Sequence, residues 1–275
     1  MSSPRLASPV SVSDPSLAAA RKGAGPDWQL VWADEFDGAE IDRSKWEFEV
    51  NAWGGGNEEL QYYTDRPENA YVAGGALHVV ALKERFTGPE GTRDYTSARL
   101  RTKHRGDWLY GRVEVRARLP IGQGLWPAIW MMPTDDVYGG WAASGEIDIM
   151  ELVGHKPSEV LGTLHYGAGW PRNVHSGETY TPPEMAAGGA TFADGFHDFA
   201  IEWDRGEIRW YVDGVHTQTQ RTWHTGGVPF PAPFDQRFHL ILNVAVGGKL
   251  PGNPDGTSVF PQAMSVEHVR VYQAC

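Results

Sequence analysis

The chain holds three carboxylates within six residues, in the segment Gly145 to Glu151, which reads GEIDIME. The residues between the carboxylates are apolar, so the pattern predicts a strand with one acidic face and one buried face. Carboxylates held side by side do not all ionise together. Two carboxyls with different pKa values are what cleavage of a glycosidic bond requires, so the segment indicates glycoside hydrolysis. A solvated acidic edge strand is the alternative without chemistry.

The spacing of the carboxylates predicts an irregularity in this strand. Side chains alternate between the two faces of a strand, so Glu146 and Asp148 share a face while Glu151 would point away. One extra residue, a β-bulge near Ile149 or Met150, would return Glu151 to the acidic face. We therefore predict a bulge here. A short separation of the two glutamates would suit a retaining mechanism, with Asp148 sharing a proton with Glu146.

The elements that must position these residues are strands. Residues 112–119 alternate polar and apolar without error, and residues 208–212 lead into Asp213-Gly214, a favoured two-residue hairpin turn. Further strands are predicted at residues 77–82, 196–203, 238–244 and 266–272. Short helical turns are expected only at 186–190 and 233–237. Many strands and little helix predict an all-β sandwich or barrel.

Composition excludes several classes of function. The 275 residues carry a formal net charge of −11 without a basic stripe, which argues against a nucleic-acid partner. The sequence contains no apolar run of about 18 residues, so no membrane-spanning helix is predicted. Cys275 is the single cysteine, which excludes an intrachain disulfide and a cysteine metal site. No His-Glu-x-x-His spacing occurs, so catalysis is expected to need no cofactor.

The sequence predicts one domain. Residues 1–26 are rich in Ser, Pro, Ala and Gly and are expected to be a flexible leader, and residues 27–275 are expected to form the catalytic domain. Twelve tryptophans exceed the needs of a core and suggest flat apolar platforms, on which sugars stack.

The acidic motif, taken with other segments, resembles glycoside hydrolase family 16, and within it the bacterial laminarinases (endo-β-1,3-glucanases). The family signature Glu-x-Asp-x-x-Glu matches Glu146, Asp148 and Glu151, with the extra residue that lichenases lack. The other similar segments are residues 31–36, 57–64, 96–100, 110–114 and 124–131. The resemblance implies a β-jelly-roll sandwich of two antiparallel sheets, concanavalin A-like, with a concave substrate cleft. It also implies Glu146 as nucleophile, Glu151 as general acid/base and Asp148 as the assisting carboxylate.

The resemblance also implies substrate-binding residues: Asn57, Arg99, Trp126, Trp130, Trp141 and His165. The tryptophans would stack on sugar rings, although a core role is the alternative for each. Arg99 would donate to sugar hydroxyls, although a salt bridge to a nearby carboxylate is the alternative. His165 is expected on the strand beside the acidic one, near the acid/base.

Family members often bind a structural calcium ion away from the chemistry, and the matching positions here are Glu35, Gly75 and Glu267. Some of these ligands would be backbone oxygens, and Glu267 stands where many relatives have Asp. Calcium takes six to eight oxygens, so water would complete the site.

The expected function is retaining hydrolysis of internal bonds in a β-1,3-glucan such as laminarin, by a monomer with no nucleic-acid or membrane partner. The polymer cannot enter a cell intact, so a secreted protein is expected. Mixed-linkage β-1,3-1,4-glucan, a marine galactan and glucan remodelling by transglycosylation are alternatives within the fold. A non-catalytic glucan-binding protein is the alternative from another class.

Overall fold

The alternating segments form strands of two packed sheets in the computed structural model, which describes residues 27–275. The expected leader, residues 1–26, lies outside the described residues. The strands are β1 (Trp28–Asp34), β2 (Glu47–Phe48), β3 (Gln61–Tyr63), β4 (Ala70–Ala73), β5 (Ala76–Ala81), β6 (Phe86–Gly88), β7 (Gly91–Arg93), β8 (Tyr95–Ser97), β9 (Arg99–Arg101), β10 (Asp107–Trp108), β11 (Gly111–Arg118), β12 (Leu125–Pro133), β13 (Glu146–Glu151), β14 (Val160–Tyr166), β15 (Val174–Tyr180), β16 (His197–Trp203), β17 (Ile208–Val212), β18 (Val215–Gln220), β19 (Phe238–Val246) and β20 (Gln262–Ala274).

The predicted strands are confirmed, and the predicted helical turns are wrong. Residues 208–212 coincide with β17, and Asp213 and Gly214 both adopt positive φ in the hairpin turn to β18. The described helix α1 is Pro183–Ala186, which precedes the expected 186–190. Residues 231–236 form turns and bends. Pro231 and Pro233 have no backbone N–H, which disfavours a helix there.

Two eight-stranded sheets stack face to face. The first, here called the back sheet, has the order β18-β17-β16-β11-β20-β5-β4, with β1 also paired to β20. The second, here called the site sheet, has the order β15-β14-β13-β12-β19-β9-β2, with β10 also paired to β19. Every pairing within both large sheets is antiparallel. The architecture is the predicted jelly-roll sandwich.

The core lies between the sheets because each sheet turns one apolar face inward. On β11, Val113 and Val115 are buried while the alternate Arg112 and Glu114 lie on the other face. On β12, Ile129 is fully buried in the same core. Burial of these alternate apolar residues fixes the register, since a slip by one residue would expose all of them. Among residues 27–275, no helix has the length and apolar content needed to cross a bilayer.

Candidate active site

The acidic segment forms β13, between β12 and β14 in the site sheet, and it contains the predicted bulge. Trp130 on β12 lies opposite Asp148, but the next residue, Ile129, lies opposite Met150, so one residue of β13 is skipped. The register with β14 shifts over the same interval, between Asp148 and Glu151. The irregularity turns Glu151 to the face that carries the other two carboxylates, as the spacing predicted.

A residue of the back sheet forms a hydrogen bond with the bulged part of β13, across the core. The indole N–H of Trp210 on β17 donates to the backbone carbonyl of Asp148 at 2.8 Å. A bulge leaves ladder groups without strand partners, and a buried carbonyl needs a donor. Gly162 on β14 makes this approach possible, because a Cβ there would lie 2.6 Å from the Trp210 ring.

Each glutamate receives a hydrogen bond from a different tryptophan. Trp126 on β12 donates its indole N–H to Glu151 Oε1 at 2.9 Å. Trp141, in the loop before β13, donates its indole N–H to Glu146 Oε2 at 2.5 Å. An indole nitrogen can only donate, so both contacts favour the ionised carboxylate. Trp126 and Trp141 were predicted as stacking platforms, and their hydrogen bonds to the carboxylates were not foreseen.

All three carboxyls have raised pKa values. Burial raises the pKa of Glu146 to about 8, with the charge of Asp148 as the next cause. Burial and the neighbouring charge of Glu151 raise the pKa of Asp148 well above its ordinary range. Burial also raises the pKa of Glu151, while His165 and Trp126 act in the opposite direction. Each of the three carboxyls therefore keeps its proton to a higher pH than an exposed carboxyl does, and their titrations are coupled.

His165 lies beside the carboxylates, as expected. It is directly opposite Glu146 in the β13–β14 pairing. Its Nε2 is 3.3 Å from Asp148 Oδ2 and 3.8 Å from Glu146 Oε1. The ring also packs between Trp141 and His175, with ring centroids 5.7 Å and 5.6 Å away.

A row of paired residues connects Glu151 to Arg99. Glu151 lies opposite Ala128, Ala128 opposite Asn243, and Asn243 opposite Arg99. Residues directly opposite each other in antiparallel strands point to the same face, so Arg99 on β9 shares the face of the carboxylates. Its guanidinium lies 4.7 Å from the Trp130 ring centroid.

Sequence reasoning missed the roles of two residues here, Asn243 within the row and Tyr63 beside it. Asn243 is buried, accepts from the Trp130 indole at 2.7 Å and donates to the Tyr63 hydroxyl at 3.1 Å. Trp130 is therefore fixed at its edge, with Arg99 on its face. A polar residue within the apolar run of β19 was the available signal for Asn243, since every residue of that strand is buried.

The model of the family Glycosyl hydrolases family 16 matches residues 56–259. The chain belongs to this family. It is 43% identical over 260 residues to glucan endo-1,3-beta-glucosidase A1 of Niallia circulans, covering 89% of this chain and 38% of that protein. It is 43% identical to the beta-glucanase of Rhodothermus marinus, covering 94% of this chain and 89% of that protein. The laminarinase catalytic domain from Thermotoga maritima MSB8 superposes with a TM-score of 0.80 at 43% identity, covering 90% of this chain and 99% of that one.

Two further predicted substrate residues of this family 16 chain are Asn57 and Arg99. Asn57 follows the 3-10 turn Gly54–Gly56, and its side chain donates to the Gly55 carbonyl at 3.4 Å. A few residues after Asn57, the side-chain oxygen of Gln61 accepts from the backbone N–H of Val246 at the end of β19, at 2.8 Å. A contact of Asn57 with sugar stays a prediction. Arg99 also approaches Glu49 at 3.4 Å, so the ion pair considered as its alternative is present.

The carboxylates expected around calcium, Glu35 and Glu267, are paired with arginine side chains. Both oxygens of Glu35 accept from Arg270 at 2.8 Å, and Arg270 lowers the pKa of that carboxyl. Glu267 accepts from Arg116 at 2.7 Å. The guanidinium groups supply the positive charge that calcium would otherwise bring, so the expected role of Glu35, Gly75 and Glu267 in calcium binding stays an untested prediction.

Proposed function

We propose that this chain is a retaining endo-glycosidase that hydrolyses internal β-1,3-glucosidic bonds of a glucan such as laminarin. The observation that carries the proposal is the bulge of β13, which places Glu146, Asp148 and Glu151 on one face of the site sheet. Family membership supports a glycoside hydrolase, and two relatives, one named a glucan endo-1,3-beta-glucosidase and one a laminarinase, support the substrate.

Glu146 would act as the nucleophile on the anomeric carbon. Nucleophilic attack requires the ionised carboxylate, and the Trp141 N–H and the positive charge of His165 both lower the pKa of Glu146 against the effect of burial. Asp148, with its strongly raised pKa, is suited to keep the proton that Glu146 gives up. Burial nevertheless leaves the pKa of Glu146 at about 8, so the reactive ionised form of this residue becomes more populated as pH rises toward that value.

Glu151 would donate a proton to the leaving oxygen and later take one from water. Its raised pKa keeps it protonated at a pH where an exposed glutamate is ionised. After the glycosyl-enzyme intermediate forms, ionised Glu151 would activate the water that releases the sugar with retained configuration. The Trp126 hydrogen bond would stabilise this ionised form of Glu151 in the second step.

The face around the carboxylates suits a neutral sugar polymer. Trp126, Ala128 and Trp130 follow one another on the same face of β12, so a small side chain separates the two tryptophans. The Arg99 guanidinium packs on Trp130 and is paired with Glu49, so it does not add a free positive charge for a sulfated substrate. A neutral β-glucan therefore fits better than a sulfated galactan.

The test is product release from laminarin, lichenan and agarose by the wild-type chain and by Glu146→Gln and Glu151→Gln. We expect reducing ends and retained anomeric configuration from laminarin, and a loss of activity of at least about a thousandfold in each variant. In Glu146→Ala, which leaves space in place of the carboxylate, azide should restore turnover by attacking the anomeric carbon and forming a glycosyl azide of inverted configuration. Near wild-type rates in either variant would contradict the assignment, and preferential cleavage of lichenan or agarose would replace the proposed substrate.

A matched control is Glu184→Gln, because Glu184 is exposed on α1. It should leave the rate on laminarin unchanged. The polymeric substrate also supports our proposal that the protein works outside the cell. We further propose that it is a monomer without a nucleic-acid or membrane partner, and its net charge of −11 disfavours a nucleic acid. Fractionation of the culture of a producing organism tests the location, and light scattering of the purified chain tests the monomeric state.

A further inference from the structure

Glu146, Asp148 and His165 bring three possible metal-ligand atoms within 4.8 Å of one another. No other group of three such residues lies this close in the part of the chain that the structure describes. The group combines one imidazole nitrogen with two carboxylates on neighbouring strands, β13 and β14. Its geometry can therefore be compared with that of a metal centre.

The distances suit a small tetrahedral ion. With metal–ligand bonds of about 2.0–2.1 Å, two ligands of a tetrahedral zinc ion lie about 3.4 Å apart. His165 Nε2 is 3.3 Å from Asp148 Oδ2 and 3.8 Å from Glu146 Oε1. A closer approach of the Glu146 side chain, which is part-exposed, would complete the geometry, with water as the fourth ligand.

The free oxygen atoms of the carboxylates face this point. Trp141 donates to Oε2 of Glu146, which leaves Oε1 on the side of His165. Asp148 is 2% exposed, and its Oδ2 accepts no hydrogen bond of proper geometry among residues 27–275, although His165 Nε2 lies 3.3 Å away. A buried carboxylate oxygen that accepts no hydrogen bond is rare and requires an explanation. This oxygen is a second observation, independent of the clustering, that indicates a cationic ligand.

We propose that Glu146, Asp148 and His165 form a site for a divalent cation of the zinc and copper type, and that such an ion inhibits the enzyme. The donor set selects the ion class: imidazole suits zinc and copper, whereas calcium and magnesium prefer oxygen ligands and higher coordination numbers. The two negative charges of ionised Glu146 and Asp148 balance one divalent ion. The inhibition follows because Glu146, once bound to the ion, cannot attack the sugar.

The inhibition rests on the proposed function, but the binding does not. Zinc binding is therefore measured by calorimetry on the full chain, freed of metal by a chelator, at one fixed pH because the ligands must be deprotonated. We expect one zinc ion per chain. Replacing a ligand should weaken binding by at least about tenfold, since loss of even an outer-shell partner has an effect of this size.

His165→Gln is the main variant, and His175→Gln is its matched control. His175 is paired with His165 on the adjacent strand and stacks on it, but it is not among the three ligands. We expect His165→Gln to weaken zinc binding and His175→Gln to leave it unchanged. Equal weakening in both would overturn the proposal, and so would the absence of a binding heat in the wild type. Circular dichroism confirms that both variants are folded.

Kinetics on laminarin supply the second arm. Zinc should raise KM without lowering kcat, because the ion and the sugar compete for Glu146, and calcium at the same concentration should do neither. A fall in kcat at unchanged KM would place the ion elsewhere and overturn the proposed inhibition. If the chain fails to cleave laminarin but binds zinc through His165, the proposed function fails while the metal site stands.

Discussion

The indole N–H of Trp210 on the back sheet donates to the backbone carbonyl of Asp148 on the site sheet, across the core, at 2.8 Å. The carbonyl belongs to the residue at which β13 departs from regular pairing. The contact links the sandwich core directly to the irregularity that brings Glu151 to the active face. The back sheet therefore helps to position the catalytic group.

Replacing Trp210 with phenylalanine tests this link. The variant leaves a buried carbonyl without its donor, so we expect a loss of about 1–3 kcal/mol in the free energy of unfolding. We also expect kcat on laminarin to fall by about ten- to a hundredfold, because small displacements of catalytic groups have effects of this size. Denaturant titration and initial rates measure the two effects.

Trp223→Phe is the control, since the Trp223 indole donates to the carbonyl of Pro231 at 2.8 Å and is also buried. It should lose similar stability and keep its activity. Equal activity losses in Trp210→Phe and Trp223→Phe would mean that general destabilisation, not the position of the bulge, causes the effect.

The bulge was predictable from sequence because it follows from counting. Glu146 and Glu151 are an odd number of residues apart, so a regular strand would point them to opposite faces. They can share a face only if the strand contains one extra residue, a bulge. The support from Trp210 was not predictable, because Trp210 is 62 residues away in sequence from Asp148. Its approach depends on sheet packing that the local pattern does not contain.

The roles of the aromatic residues were only partly predictable. Alternation placed Trp126 on the same face as Trp130, and the family resemblance placed both near the substrate. The direction of the Trp126 indole N–H depends on the register of β12 against β13. Arg99 was expected either to bind sugar or to pair with a carboxylate, and the structure shows the pairing with Glu49. Calcium binding is not settled by sequence similarity, because Arg270 and Arg116 hold the carboxylates in question.

Trp126→Phe should shift the alkaline limb of the pH–activity profile upward. The indole N–H stabilises ionised Glu151, so its loss raises the pKa of this general acid. The acid then stays protonated to higher pH, and the alkaline limb of kcat/KM, which reports the free enzyme, moves with it. An unchanged alkaline limb, measured on laminarin across buffers of constant ionic strength, would show that the hydrogen bond does not tune Glu151.

Trp141→Phe should shift the opposite limb. Trp141 stabilises ionised Glu146, so its loss raises the pKa of the nucleophile, which must be deprotonated to react. The acid limb of kcat/KM then moves to higher pH, while the alkaline limb stays near its wild-type position. Trp126→Phe and Trp141→Phe serve as controls for each other. If both variants move the same limb, the assignment of Glu146 and Glu151 to separate roles is wrong.

Glu146→Gln should stabilise the folded protein, increasingly so at higher pH. Burial raises the pKa of Glu146 from its ordinary 4.5 to about 8, so the folded chain holds a proton that the unfolded chain has released. Between these two values the wild-type protein therefore loses stability as pH rises. The glutamine side chain does not titrate, so the variant does not lose stability in this way. The stability that the wild type loses by pH 8 is at most about 5 kcal/mol in the free energy of unfolding. Thermal unfolding of both proteins at pH 4, 6 and 8 checks the trend, with exposed Glu184→Gln as the control. A stability difference between Glu146→Gln and wild type that stays constant across this range would mean that Glu146 titrates alike in the folded and unfolded chain, and that burial does not hold its proton.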